Sequence, residues 1–204
     1  MKNLLVEYIP LSFSREQINE SISSNGRIIV SGVLQRAGAK NQNGRVYPKD
    51  VLQREAENYN REFVTQNRAL GELDHPESSV VNLANASHNL LKMWWEGDDL
   101  MGKIEVLSTP SGNILKSLME SGITLGISSR GVGSVKEVFT EDRQKYLQVQ
   151  EDFELVCFDF VSNPSTQGAF MNPVNESKII DNNSKVNKLI TDIICDIGEY
   201  CPCN

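Results

Sequence analysis

The stretch GISSRGVGS, residues 126–134, sets two hydroxyls and a guanidinium among small residues. A serine hydroxyl is a weak nucleophile. To attack a carbonyl it needs a base within hydrogen-bond reach, a group that orients the base, and donors for the developing oxyanion. Ser128 or Ser129 supplies the hydroxyl. Of the two histidines in the chain, His75 is the plausible base. It lies in GELDHPESS between Asp74 and Pro76, with Glu72 and Glu77 close by. Pro76 holds the preceding residue in an extended conformation, which fixes the loop position of His75. His88, in NASHNLL, enters a strand and reads as surface or structural. The third group would be a carboxylate. Asp159, in VCFDFVSNPS, is an acid inside an apolar run, and burying it is costly unless it is paired. An arginine partner would make Asp159 structural; His75 would make it functional. Glu154, Asp152 and Asp74 are weaker candidates. The competing reading makes GISSRGVGS a bulged strand crossing and His75 an ordinary solvated loop residue. Residue types and spacing leave both open.

The elements around these residues follow from hydrophobic period and turn chemistry. RIIVSGVLQRAG (27–38) is rich in β-branched residues and predicts a strand. KNQNGRVYP (40–48) is turn-forming, and Pro48 suits the first turn of a helix running to about Val64. Leu52, Ala56, Tyr59 and Phe63 lie on one face of that helix. RALGELDHPESS (68–79) reads as an irregular loop. Residues 88–107 predict a hairpin turning at Glu96-Gly97-Asp98-Asp99, with Trp94 and Trp95 on opposite faces. TPSGNILKSLMESG (109–122) predicts a helix around Ile114, Leu115, Leu118 and Met119, closed by Gly122. Strands follow into Ser128 and over 132–139, then a strand pair across 145–161. The body is an α+β domain, mainly antiparallel sheet with two helices.

The chain has 204 residues, 39% hydrophobic and 23% charged, which fits one soluble globular domain with a tail. It has no apolar run long enough to span a membrane. Its net charge of −7 disfavours nucleic acid as a partner, because phosphate binding needs a basic surface. Cys157 sits in an apolar run as a buried core thiol. Cys195, Cys201 and Cys203 crowd the C-terminus without a nearby histidine and make a poor zinc site. His75 and His88, with twelve residues between them, form no familiar metal motif, so a metal-dependent hydrolase is the weaker reading.

The blocks NGRVYP, ALGELDHP, MWWEGDDLMGK, GISSRGVGS and DFVSNPS, in that order, resemble the prohead core proteases of large myovirus-type tailed phages. The resemblance runs from about Arg27 to Pro173. That family is similar in turn to the herpesvirus assemblins, which implies a mainly antiparallel β-barrel with surrounding helices. The resemblance implies a serine endopeptidase inside the immature phage capsid, assembled in the host cytoplasm. It would cleave scaffold, capsid and internal proteins after glutamate, and then itself. On the matching positions it implies His75 as the histidine and Ser128 as the nucleophile, the first serine in a Gly-x-Ser-x pattern, with Ser129 as runner-up. Related enzymes carry an acid or a histidine as third member, and Asp159 is what this chain offers. Ser129 and Arg130 are expected to support the oxyanion or the loop. No metal or organic cofactor is implied. The implied partners are scaffold or core proteins and the major capsid protein as substrates, and further copies of the chain, with neither nucleic acid nor membrane.

The organisation expected is a loosely attached segment over 1–25, a protease domain over 26–171 and a polar, processed tail over 172–204. A taste for glutamate requires a basic or hydrogen-bonding pocket, for which Arg45, Arg68 and Arg130 are candidates. If the family's preference for an aliphatic residue two places before the glutamate and a small residue after it holds, three bonds qualify for self-cleavage. They are Glu20–Ser21, Glu120–Ser121 and Glu176–Ser177, the last expected to be cut first. The alternative function is a catalytically silent core or tube protein of the same fold.

Overall fold

Short runs of alternating and β-branched residues dominate the chain, and a computed structural model turns most of them into strands. It describes residues 3–11, 27–76, 78–123, 125–140, 143–162 and 171–173. In chain order the elements are β1 (Asn3–Leu11), β2 (Ile29–Arg36), β3 (Arg45–Val46), α1 (Lys49–Tyr59), β4 (Leu70–Glu72), β5 (Ala86–Glu96), β6 (Asp99–Val106), α2 (Pro110–Glu120), β7 (Leu125–Gly133), β8 (Val135–Phe139), β9 (Lys145–Val149), β10 (Glu154–Val161) and β11 (Met171–Pro173). A π-helical turn, Asn60–Val64, continues α1, so the helical run ends where the apolar period predicts.

The strands form three sheets, ordered β1-β7-β10, β11-β2-β6-β5-β4 and β3-β9-β8. All pairings within them are antiparallel except β3 with β9. The fold is therefore mixed and strand-rich with few helices, as expected. Among the described residues the pairings leave each sheet open, so the closed barrel does not appear as one continuous ladder. A parallel bridge, Leu73 to Phe160, joins the end of β4 to β10.

The core between the sheets is built from Leu34, Leu52, Leu90, Ile104, Leu115, Ile127, Phe158 and Phe160, all buried. Tyr59 of α1 packs edge-on against Phe158 of β10. Glu55 of the same helix accepts the Leu155 N–H through Oε2 at 3.2 Å, beside an irregularity in the β7–β10 register between Leu155 and Cys157. Arg54 donates to the carbonyls of Glu151 and Phe153. Helix α1 thereby fixes the start of β10. Helix α2 has the expected ends: Thr109 Oγ1 accepts from Gly112 N, Pro110 opens the first turn, and Gly122 follows at φ +75°. Its face is narrower than the pattern suggests, since Leu115 and Met119 are buried while Ile114 is exposed.

Three expectations change. Residues Asn3–Leu11 of the segment read as loosely attached are strand β1, paired with β7 along its whole length. Pro10 is compatible with this because β1 is an edge strand, where a missing N–H breaks no interior ladder. The loop over 68–79 contains β4, too short for a period to reveal. Strands β9 and β10 do not pair with each other: β9 joins β8 and β3, and β10 joins β7.

Candidate active site

Strand β7 carries Ser128 and Arg130 on one face, because side chains alternate along a strand. Strand β10 pairs with it in a register that sets Asp159 opposite Ser128 and Cys157 opposite Arg130. Four polar side chains thus share one face of two adjacent strands, and all four are buried. Ser129 lies on the other face, opposite Phe158. Its Oγ is buried with no hydrogen-bond partner among the described residues. Of the two serines, Ser128 is the one whose hydroxyl meets an imidazole, that of His75.

His75 arrives on the turn after β4. Gly71 lets β4 cross close to its neighbours. A Cβ there would stand 1.9 Å from the Phe158 carbonyl oxygen and 2.3 Å from His88 Nε2, distances no side chain tolerates. Leu73 then bridges to Phe160, and the Asp74 N–H donates to the Phe160 carbonyl at 2.8 Å. Asp74 takes φ +71° and its Oδ1 accepts the His75 N–H, turning the chain sharply back. His75 Nε2 comes to 2.7 Å from Ser128 Oγ, and its Nδ1 to 3.0 Å from Asp159 Oδ2. The three residues come from β7, β10 and the β4 turn, and the geometry links them in series.

Asp159 is held from several sides. Arg130 approaches both of its oxygens, Nε at 2.9 Å from Oδ2 and an Nη2–H to Oδ1 at 3.1 Å. The Glu72 N–H donates to Oδ1 at 2.9 Å, and the Cys157 thiol lies 3.3 Å from it. Burial alone would raise the Asp159 carboxyl. The His75 contact, the Arg130 guanidinium and the Glu72 N–H outweigh it and hold the group below its ordinary value. An ionised carboxylate can only accept, so the tautomer that fits this geometry has Nδ1–H facing Asp159 and Nε2 accepting from the Ser128 hydroxyl. The question whether Asp159 pairs with arginine or histidine has the answer both.

Arg130 is fully buried, and each of its three nitrogens has a partner. Besides Asp159 it binds Glu72 Oε1 at 2.8 Å and the Ser78 carbonyl at 2.8 Å. It therefore holds the loop, which was one of its two expected roles. Its guanidinium faces Asp159, Glu72 and the Ser78 carbonyl. Ser129, facing away, does not reach the site with its side chain. Gly131 and Gly133 answer to packing. A Cβ at Gly131 would lie 2.4 Å from the Phe153 ring, and one at Gly133 2.9 Å from Phe153 Cα.

His88 is buried, not on the surface. Its Nε2–H donates to the Phe158 carbonyl at 2.9 Å and its Nδ1 accepts from Ser87 Oγ at 2.8 Å. Burial lowers its pKa from 6.5 to about 4, so it is a neutral structural group. Burial pushes the Cys157 thiol well up, so this cysteine is a neutral member of the cluster rather than a thiolate nucleophile. Glu72 is the residue whose importance the sequence did not announce. Polar and loop-like in context, it is completely buried under Arg130.

Comparison with known proteins gives consistent relatives. Residues 10–179 match the prohead core protein serine protease family. The chain is 31% identical over 172 residues to the prohead core protein protease of Enterobacteria phage T4, covering 83% of this chain and 78% of that one. Among solved structures it is similar to the bacteriophage T4 capsid assembly protease. The TM-score there is 0.66 at 28% identity, over 80% of this chain and 99% of the other.

Proposed function

This chain belongs to the prohead core protein serine protease family, a family of proteases acting in phage capsid assembly, and on that footing we propose that it hydrolyses peptide bonds by acyl transfer through Ser128, His75 and Asp159. Ser128 Oγ attacks the substrate carbonyl as His75 Nε2 takes its proton. Asp159 fixes the imidazole tautomer and stabilises the imidazolium. The proton then passes to the leaving amine, and water, activated by the same nitrogen, releases the acyl group. The single observation that carries this is the unbroken series of contacts at 2.7 Å and 3.0 Å from hydroxyl to imidazole to carboxylate. Serine-directed covalent labelling, read by mass spectrometry, tests it: the adduct should sit on Ser128. An adduct elsewhere, or none in an active preparation, overturns the assignment.

The substrates in this proposal are the scaffold or core proteins and the major capsid protein, cut after glutamate inside the immature capsid, and the enzyme itself. The body over 26–171, to whose sheets β1 and the β11 residues Asn172 and Pro173 add strands, is the protease domain, and the rest of the polar tail over 172–204 is processed. The sheets make up one assemblin-like barrel wall; what supports this is the Leu73–Phe160 bridge between β4 and β10.

Self-cleavage gains a fourth candidate bond. Ser128 has no exposed surface, so a peptide cannot reach it in the state described. The edge strand beside it is β1, whose register sets Tyr8 opposite Ser128 and Glu7 opposite Ser129. The Glu7–Tyr8 bond therefore lies alongside the proposed nucleophile; Leu5 meets the aliphatic half of the preference, Tyr8 departs from the small residue expected after the glutamate, and the candidacy rests on register alone. We propose that β1 occupies the substrate side of β7 until this bond is cut. Of the other bonds, Glu120–Ser121 ends helix α2; Glu20–Ser21 and Glu176–Ser177 lie outside the described residues.

A further inference from the structure

We propose that Glu72 is a positioning residue for the acyl-transfer reaction, supplying the negative charge that keeps Asp159 available to the His75 imidazolium. This rests on the reading of Ser128, His75 and Asp159 given above.

A carboxylate shared between an arginine and a histidine has a problem. Arg130 contacts both oxygens of Asp159, so on its own it would neutralise the charge that should stabilise the imidazolium. Glu72 changes that balance. Its Oε1 lies 2.8 Å from Arg130 Nη2 and also accepts the Asn82 N–H at 3.0 Å. Its Oε2 is buried with no hydrogen-bond partner among the described residues. Burying a carboxylate with one oxygen unmatched is expensive, and such a group calls for a reason.

The charges around the site supply one. Arg130 on β7 contributes one positive charge, and Asp159 on β10 and Glu72 on β4 contribute two negative ones. Cys157 on β10 and Tyr59 on α1 are neutral, because burial raises both. His88 on β5 is neutral, because burial lowers it to about 4. Asp74, one residue before His75, is exposed, and water screens it. The buried cluster thus carries a net charge of −1 while His75 is neutral. It reaches zero when the imidazole takes the Ser128 proton. The unmatched charge of Glu72 in the resting state is what the transition state neutralises, a preorganised field aimed at charge that develops during reaction. Glu72 also fixes geometry: its own N–H holds Asp159 Oδ1, and its carboxylate ties down Asn82 beyond the His75 loop.

The test compares Glu72→Gln with Glu72→Asp, measuring kcat/KM against pH on a glutamate-containing peptide, with Ser128→Ala alongside. Glutamine keeps an oxygen for Arg130 and Asn82 but removes the charge, so the imidazolium loses support. The acid limb should move down by about one pH unit, and the plateau rate should fall about tenfold. Aspartate keeps the charge and should leave the limb in place, even if its shorter reach lowers the rate. An unmoved limb in Glu72→Gln, or an equal shift in Glu72→Asp, overturns the proposal and leaves the triad reading standing. An active Ser128→Ala overturns the triad itself. Should Glu72→Gln fail to fold, Arg130→Lys replaces it. That variant disturbs the contacts and keeps the net charge, so the limb should stay; a shifted limb counts against the charge argument.

Discussion

Ser128→Ala should remove nearly all peptidase activity while leaving the fold, with a residual rate of about 10³-fold over water. Ser129→Ala should keep most activity. Its hydroxyl lies on the opposite face of β7 and has no hydrogen-bond partner among the described residues, so its loss removes a desolvation penalty and no contact. Peptide hydrolysis by the two variants distinguishes them, and a dead Ser129→Ala beside an active Ser128→Ala would move the nucleophile by one position. His88 carries a separate prediction about stability. Its folded pKa is about 4 against 6.5 when exposed, so the unfolded chain binds more protons between those values. Its contribution is fully present above pH 6.5 and is lost as pH falls towards 4, on the order of 3 kcal/mol in all. Asp159, also depressed, adds loss in the same direction at lower pH. Urea midpoints across this range should fall in wild type and flatten in His88→Gln; parallel curves would refute the assignment. At this scale the site was legible where chemistry marks a residue. An acid in an apolar run must have partners, and Asp159 has them. Glu72 was not legible, because a glutamate in a polar stretch looks solvated until the strand that buries it is known.

Elements were legible where a period is long enough to count. The hairpin of β5 and β6, both helices and their capping residues follow from local pattern, and Trp95 packs towards the core while Trp94 lies outward, its Nε1–H donating to Glu96. What local pattern does not carry is pairing. Strands adjacent in sequence, β9 and β10, have different neighbours, and β4 is three residues long with its importance in what it crosses. Gly71→Ala tests that crossing. The added methyl meets the Phe158 carbonyl and the His88 ring, and neither is the loose end of a flexible chain. The backbone of β4 must shift, at a cost of about 1–3 kcal/mol or more. Because His75 follows four residues later, the shift also spoils its 2.7 Å approach to Ser128, and small misplacements of this kind lower rates about 10²-fold. A variant with lower Tm and a matching fall in kcat is expected. Unchanged activity in the folded fraction would show that β4 does not set the position of the base.

At the scale of the molecule the question is how Ser128, the proposed nucleophile, meets a substrate when it is buried. Composition suggested a loose N-terminus, yet β1 is the edge strand of the sheet that holds Ser128, so the chain's own first residues stand where access must open. An edge strand can leave with the loss of one ladder, whereas withdrawing β7 or β10 would dismantle the site. Local opening of such edges is the low-cost motion of a sheet. If the Glu7–Tyr8 bond is cut by the Ser128 beside it, wild type should lose residues 1–7, and Ser128→Ala should keep them. The strand and the nucleophile belong to one chain, so the rate should not depend on protein concentration. Glu7→Gln should slow this cut and delay the appearance of activity on an added peptide, while leaving the Glu176–Ser177 bond intact as a site for the few molecules that do open. Intact-mass measurement over a dilution series gives all of these together. Loss of the N-terminal residues from Ser128→Ala would assign the cut to another protease, and a rate proportional to concentration would mean that one copy opens another, with β1 reaching a neighbour's serine in place of its own.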